Sequence, residues 1–179
     1  MNTNNSTLLT TQDLSIAFGG LVAVDHVDME VKRGSIMGLI GPNGSGKTTI
    51  FNMITGLYVP TGGQILMDGD SLVGKPPYQI ARKGVARTFQ TSRLCLDLSV
   101  LDNVFIGMHA RQKQDLFSAV FKRKLVSAEI SAAYEKVIAL LTIFNPEIVK
   151  RAGEPAGRLP QIDRRRVEIC RAMAAEPRL

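Results

Sequence analysis

The chain has 179 residues, a hydrophobic content of 45% and a formal net charge of +6, enough for one domain with a substantial core and at most one small lobe. The two cysteines, Cys95 and Cys170, lie far apart without metal-ligand spacing, which argues against a disulfide framework or a zinc site and for a reducing compartment. The basic balance suits an anionic partner such as a nucleotide, a nucleic acid or a membrane face, or is simply an ordinary basic surface.

The start, MNTNNSTLLTTQDL, lacks the basic and apolar segments of a signal peptide, and no apolar run approaches the roughly 20 residues that cross a bilayer. Residues 1–10 are expected to be a flexible tail. LSIAF (14–18) and VDHVDMEV (24–31) alternate as strands do, and Gly19-Gly20 between them suits a turn. SIMGLIG (35–41) is a continuous apolar run closed by glycine, the pattern of a strand buried on both faces.

After it, KTTIFNMITGL has helical spacing at Ile50, Met53, Ile54 and Leu57. GGQILMDGDSL (62–72) reads as a short strand and turn, PPYQIARKG (76–84) as a short helix with a proline start and a glycine stop, and VARTFQ (85–90) as a strand. From Ser99 the pattern turns helical, with Ser99 as N-cap and Asp102 three residues on. The stretch 112–144 is helical in composition, with apolar positions at Ile130, Tyr134, Val137, Leu140 and Leu141. Its FKRKL run (121–125) reads as a solvated face. NPEIVKRAGEPAGRLP (145–160) is expected to be irregular, and RRRVEICRAMAAEP (164–177) a final helix. This layout argues for an α/β fold, with a core over residues 11–98, a helical lobe over 99–163 and a closing helix over 164–179.

The stretch GPNGSGKTT carries the chemistry. Gly41, Pro42, Asn43, Gly44, Ser45, Gly46, Lys47 and Thr48 match G-x-x-x-x-G-K-[ST] without a mismatch, and Thr49 follows. Glycines let the backbone curl so that successive N–H groups face a β- or γ-phosphate. Lys47 adds a compact positive charge, Thr48 offers a hydroxyl to Mg²⁺, and the helix N-terminus adds its dipole. A chance match in a glycine-rich turn is the bland alternative; an apolar strand pattern before the loop and a helical one after it argue against that. The arrangement calls for a nucleotide with Mg²⁺, and alone it does not separate kinases, GTPases and transport ATPases.

The segment from Ala17 to Ile65 resembles the opening of an ABC transporter ATP-binding subunit. The resemblance implies a P-loop fold with an incomplete sheet, an antiparallel β-subdomain and an inserted helical subdomain. It also implies that the nucleotide is ATP and that Phe18 is the aromatic that stacks on adenine. RTFQ then places Gln90 at the family's Q-loop glutamine, a contact to Mg²⁺ and the attacking water. FGGLVAVDHV, GLYVPTGGQI, IARKGVARTFQTSRL and SVLDNVFIGMH resemble importers of branched-chain and other hydrophobic amino acids, with a urea or amide importer of the same lineage as the alternative. Implied partners are a second ATP-binding subunit and transmembrane permease subunits, with the chain peripheral on the cytoplasmic face of the membrane. Nucleic-acid binding has little support, since the basic residues are scattered without aromatic interleaving.

Two departures stand out. The family's L-S-G-G-Q signature is replaced here by Leu159-Pro160-Gln161-Ile162-Asp163, although the RRxxIARA-like flank persists as RRRVEICRAM. Pro160 has neither the serine hydroxyl nor a backbone N–H, Gln161 and Ile162 obstruct close approach to a phosphate, and Asp163 sets a negative charge near it. The second departure is that no apolar run ending in Asp-Glu, with its water-polarising carboxylate, occurs in these residues. His26 and His109 read as ordinary surface or packing residues. The chain alone is therefore expected to hydrolyse ATP weakly or not at all and to expose apolar surface. The alternative is a nucleotide-binding, non-hydrolysing half of an asymmetric pair. An unrelated P-loop kinase is disfavoured by the Q-loop phrase and the signature flank.

Overall fold

The computed structural model describes residues 7–90, 93–108 and 123–179, with the backbone alone over 123–130. The chain divides into two compact units, Met1–Lys83 and Gly84–Leu179, a boundary well ahead of the expected one at 98/99.

The first unit is built on a four-stranded antiparallel sheet in the order β2-β1-β3-β4, from strands β1 (Thr7–Phe18), β2 (Leu21–Lys32), β3 (Gly62–Met67) and β4 (Asp70–Ser71). β1 and β2 form a long hairpin around Gly19-Gly20, with Phe18 opposite Leu21. Alternation decides which face is buried: Leu14, Ile16, Val24, Ile65 and Met67 are in the core. The ladder already begins at Thr7, with Leu8 and Leu9 buried and Leu9 paired to Val31 and Met67. Residues 7–10 are therefore strand rather than tail, because their two leucines find core positions. Helix α1 (Lys47–Ile54) buries Ile50, Met53 and Ile54, at the helical spacing the sequence shows; Leu57 falls beyond the helix and is exposed. Helix α2 (Pro77–Arg82) opens with proline at its start.

SIMGLIG departs most from expectation. Residues 35–42 join no ladder, and Ile36 and Ile40 are almost fully exposed. A strand apolar on both faces needs a neighbour to pair with and a layer on each side; among the described residues none lies beside it.

The second unit is helical: α3 (Val100–Met108), α4 (Arg123–Phe144), α5 (Pro146–Lys150) and α6 (Gln161–Ala174). VARTFQ is not a strand here; its Ala86 N–H donates to the Leu179 carbonyl at 2.9 Å, and the carbonyl of Gly84 just before it accepts from Arg178 N–H at 2.7 Å. Val100, Val104, Val137, Leu141, Val167 and Cys170 form the core. Gly107 lets α3 and α6 cross closely, since a Cβ there would lie 2.0 Å from the Arg171 carbonyl. Ser99 caps α3 as expected, its hydroxyl accepting from Asp102 N–H at 3.0 Å. Buried Asn103 ties the preceding loop to that helix through the Cys95 N–H, 2.8 Å, and the Cys95 and Ser99 carbonyls, both 2.9 Å. Burial pushes the Cys170 thiol up to about 11, so it packs as a small inert apolar group.

The stretch expected to be irregular holds a turn of helix, because Asn145 caps α5 by accepting from Glu147 N–H at 3.1 Å with Pro146 next. The final helix starts earlier than expected, at Gln161. Val137 and Leu141 are buried but Tyr134 is half exposed. The expected helical positions 112–122, the Ile130 side chain, His109 and the FKRKL side chains lie outside the described residues.

Candidate functional site

Residues 41–46 hang between the exposed segment 35–40 and α1, whose first turn holds Lys47, Thr48 and Thr49. Gly44 and Gly46 take left-handed backbone conformations, φ +85° and +82°, which glycine adopts without strain. Gly46 is also the N-cap of α1, and a Cβ on it would come within 2.5 Å of the Ala23 carbonyl and 3.1 Å of Val24. The hairpin thus supports the loop from beneath at a place only glycine fits. Ser45 N–H closes a turn on the Pro42 carbonyl at 3.3 Å.

Lys47 folds over the loop it terminates. Its Nζ donates to the carbonyls of Gly41 and Pro42, at 2.8 and 2.6 Å, and to Ser45 Oγ at 3.3 Å. All three acceptors are neutral, so among the described residues nothing cancels the positive charge held over the loop. Thr48 is exposed and Thr49 half-buried in the first turn of α1, where no acidic residue competes. A ring of curled amides, an uncompensated ammonium and the positive end of a helix dipole together suit a polyphosphate anion. A depression of the same unit, across Thr10–Asp13 and Asp28–Glu30, carries the carboxylates of Asp13, Asp28 and Glu30 and would repel one.

Phe18, at the hairpin end of β1, is 45% exposed and meets Tyr58 edge to face. The structure therefore places Phe18 and the loop in one unit. Gln90 belongs to the other unit, where it is exposed. Its neighbour Phe89 is held firmly: Phe89 N–H donates to Glu168 Oε1 at 3.1 Å, its carbonyl accepts from Arg165, and Arg165 donates to Glu168 Oε2 at 3.0 Å. The guanidinium groups of Arg87 and Arg93 lie over the Phe89 ring at 5.0 and 5.3 Å, and burial lowers the Arg87 pKa from its ordinary value.

Sequence reasoning missed Glu168, which is only 2% exposed. The signal was its position between Val167 and Cys170 on the buried face of an otherwise charged helix, three residues past Arg165.

The signature-like loop differs from expectation in one respect. Pro160 is the N-cap of α6 and Leu159 is buried, while Ile162 stands exposed. Asp163, however, is not an open charge: its Oδ1 accepts from Arg166 at 2.8 Å and from Asn145 at 3.2 Å.

A glycine-curled phosphate loop with a central lysine, opening a helix and braced by an antiparallel hairpin, defines a nucleotide-binding P-loop protein. The pattern of the ABC transporter family matches residues 24–179, and the chain belongs to that family. It is 41% identical to the "High-affinity branched-chain amino acid transport ATP-binding protein LivG" of Escherichia coli (strain K12) over 96% of this chain and 67% of LivG. It is 38% identical to the corresponding BraF protein of Pseudomonas aeruginosa over the same shares. Among solved structures, the ATP-binding cassette MJ1267 in its ADP conformation matches with a TM-score of 0.76 and 29% identity, over 96% of this chain and 66% of that one. A nucleotide-free ATP-binding cassette from an ABC transporter matches at 0.75 and 30%, over the same shares. The chain spans about two thirds of the length of these relatives. Among the described residues, no helix is long and apolar enough to cross a membrane.

Proposed function

We propose that the chain is the ATP-binding part of an importer for branched-chain amino acids, acting beside a second ATP-binding subunit and permease subunits on the cytoplasmic face of the membrane. The observation that carries it is Lys47, an ammonium held at the centre of a glycine-built loop by neutral acceptors alone. The names of LivG and BraF supply the substrate class.

In this reading the amides of residues 44–48 and the Lys47 ammonium bind the β- and γ-phosphates, with Lys47 exchanging main-chain carbonyls for phosphate oxygens. Phe18 stacks on the base. The Thr48 hydroxyl is the group beside the loop that would hold Mg²⁺, which neutralises charge on the terminal phosphate when bound; Gln90 keeps the Q-loop role that the family resemblance implies. The rest of the chain orients these groups. Hydrolysis by residues 1–179 alone is proposed to be weak, since they include no evident carboxylate to position water.

A second reading, the nucleotide-binding half of an asymmetric pair, is favoured by the α6 opening, where Pro160 replaces a donor and Asp163 is consumed by Arg166 and Asn145. A homodimer in the native complex overturns it.

The test of the main proposal is genetic. Deleting the coding gene in its source cell should reduce uptake of labelled leucine while sparing lysine. The wild-type gene should restore uptake and Lys47→Ala should not. Unchanged leucine uptake, or full restoration by Lys47→Ala, overturns the proposal.

A further inference from the structure

Phe18 does not stand alone at the end of its hairpin. Tyr58, just past α1, meets its ring edge to face, with centroids 5.2 Å apart and planes at 71°. Both rings remain open, at 45% and 39% exposure, and Leu21, Val22 and Val59 are exposed as well. Such apolar surface left in water marks a place where something apolar and flat is received.

Tyr58 is fixed from two sides. The N–H groups of Leu57 and Tyr58 both donate to the Asn52 carbonyl of α1, at 2.8 and 3.2 Å. Thr61 is stitched to Ser15 of β1, its N–H and hydroxyl reaching the same carbonyl at 2.9 and 3.2 Å. The segment that carries Tyr58 is thus tied to the helix the phosphate loop opens and to the strand that ends in Phe18. The spacing fits as well. Phe18 pairs with Leu21, and Ala23, whose carbonyl abuts Gly46, lies two residues along the same strand, about 7 Å away. That is a span for a sugar and one phosphate.

We propose that Tyr58 is the second wall of the base site: a flat base that stacks on Phe18 meets the Tyr58 ring at its edge, and Tyr58 sets the angle of Phe18. The proposal rests on the ATP-binding reading above and adds a residue to it. The ring, not the hydroxyl, performs this role, because the contact with Phe18 is between rings.

The experiment is calorimetric titration of the full chain with Mg-ATP and, separately, with Mg-tripolyphosphate, which has the phosphates and no base. Tyr58→Ala should weaken ATP binding about tenfold, the scale of one lost base–aromatic contact, and leave tripolyphosphate binding unchanged. Tyr58→Phe should stay within about twofold of wild type for both ligands. Equal ATP affinity in Tyr58→Ala overturns the proposal. So does an equal loss of ATP and tripolyphosphate, which would make Tyr58 a mere brace for the loop, and so does Tyr58→Phe behaving like Tyr58→Ala. If wild type binds tripolyphosphate as tightly as ATP, no base is read and the proposal fails while the phosphate loop stands. If wild type binds neither, the ATP-binding reading itself fails, and the Tyr58 proposal with it.

Discussion

Two loops in this molecule each open a helix, and they treat charge in opposite ways. Residues 41–46 lead into α1 with glycines at positive φ and a lysine bonded only to neutral oxygens. Residues 159–163 lead into α6 with a proline N-cap, and two of the charges that follow are spent within the unit: Asp163 on Arg166 and Asn145, Arg165 on Glu168 and the Phe89 carbonyl; the buried Nε of Arg164 has no partner among the described residues. Both helix starts offer a dipole. Only the first keeps an uncompensated cation beside curled amides. A loop whose charged groups are already paired has little left to give a phosphate, so a helix N-terminus alone does not make an anion site.

The largest effect is expected where α6 is most deeply committed. Glu168→Ala removes a buried carboxylate and leaves Phe89 N–H and Arg165 without their acceptor, which should cost about 3 kcal/mol of unfolding free energy in urea titration. Glu168→Gln, which keeps an acceptor for Phe89 N–H, should lose less. Equal stability of wild type and Glu168→Ala would break the claim that α6 spends its charges on its own unit. Next comes the first loop. Gly46→Ala forces an L-residue to φ +82° and a Cβ to within 2.5 Å of the Ala23 carbonyl, a strain of about 1–3 kcal/mol that should appear mainly as lost ATP affinity in calorimetry. Normal ATP affinity in that variant would mean the loop does not need its curl.

Much of this contrast was legible in the sequence, because both loops are local. G-x-x-x-x-G-K-T defines its own backbone, and Pro160 in place of the serine is visible at a glance. What was not legible is what distant residues do. Asp163 looked like an open charge because nothing nearby in the chain announces Asn145 as its partner. Nothing within RRRVEICRAM marks Glu168 as the acceptor of the Phe89 N–H, which lies far earlier in the chain. SIMGLIG shows the reverse failure. Its composition reports a strand buried on both faces, yet a strand is made by partners, and among the described residues it has none. The leucines at positions 8 and 9 were overlooked for the same reason, since their burial depends on β2 and β3 rather than on their polar neighbours.

A smaller effect sharpens the second loop. Asn145 caps α5 and also donates to Asp163. Asn145→Ala should cost about 1 kcal/mol, the scale of a lost N-cap. Asn145→Asp keeps the cap but turns the second contact into carboxylate against carboxylate. If Asn145→Asp is as stable as wild type in urea titration, the Asn145–Asp163 contact contributes nothing and Asp163 relies on Arg166 alone.

The smallest effect lies beneath the first loop and depends on pH. His26 follows Ala23 on β2 by three residues, at φ +47°, and its ring is paired with Asp13 across the hairpin and lies 3.5 Å from Asp25. The hydrogen bond and charge of Asp13, followed by the charge of Asp25, raise its pKa above the ordinary value of 6.5. A raised folded-state pKa means that the protonated ring stabilises the fold. That contribution is fully present below the unfolded pKa and is lost as pH rises through the folded one. The pair is exposed, so the gain is small. His26→Gln should therefore lower the melting temperature slightly at about pH 5.5 and leave it unchanged at about pH 8.5. If the difference instead grows with pH, the ring acts through its neutral form and the clamp on this hairpin is not electrostatic. If ATP affinity of wild type, but not of His26→Gln, also falls between the two pH values, the hairpin transmits its clamp through Ala23 to Gly46, and the first loop owes part of its shape to a residue outside it.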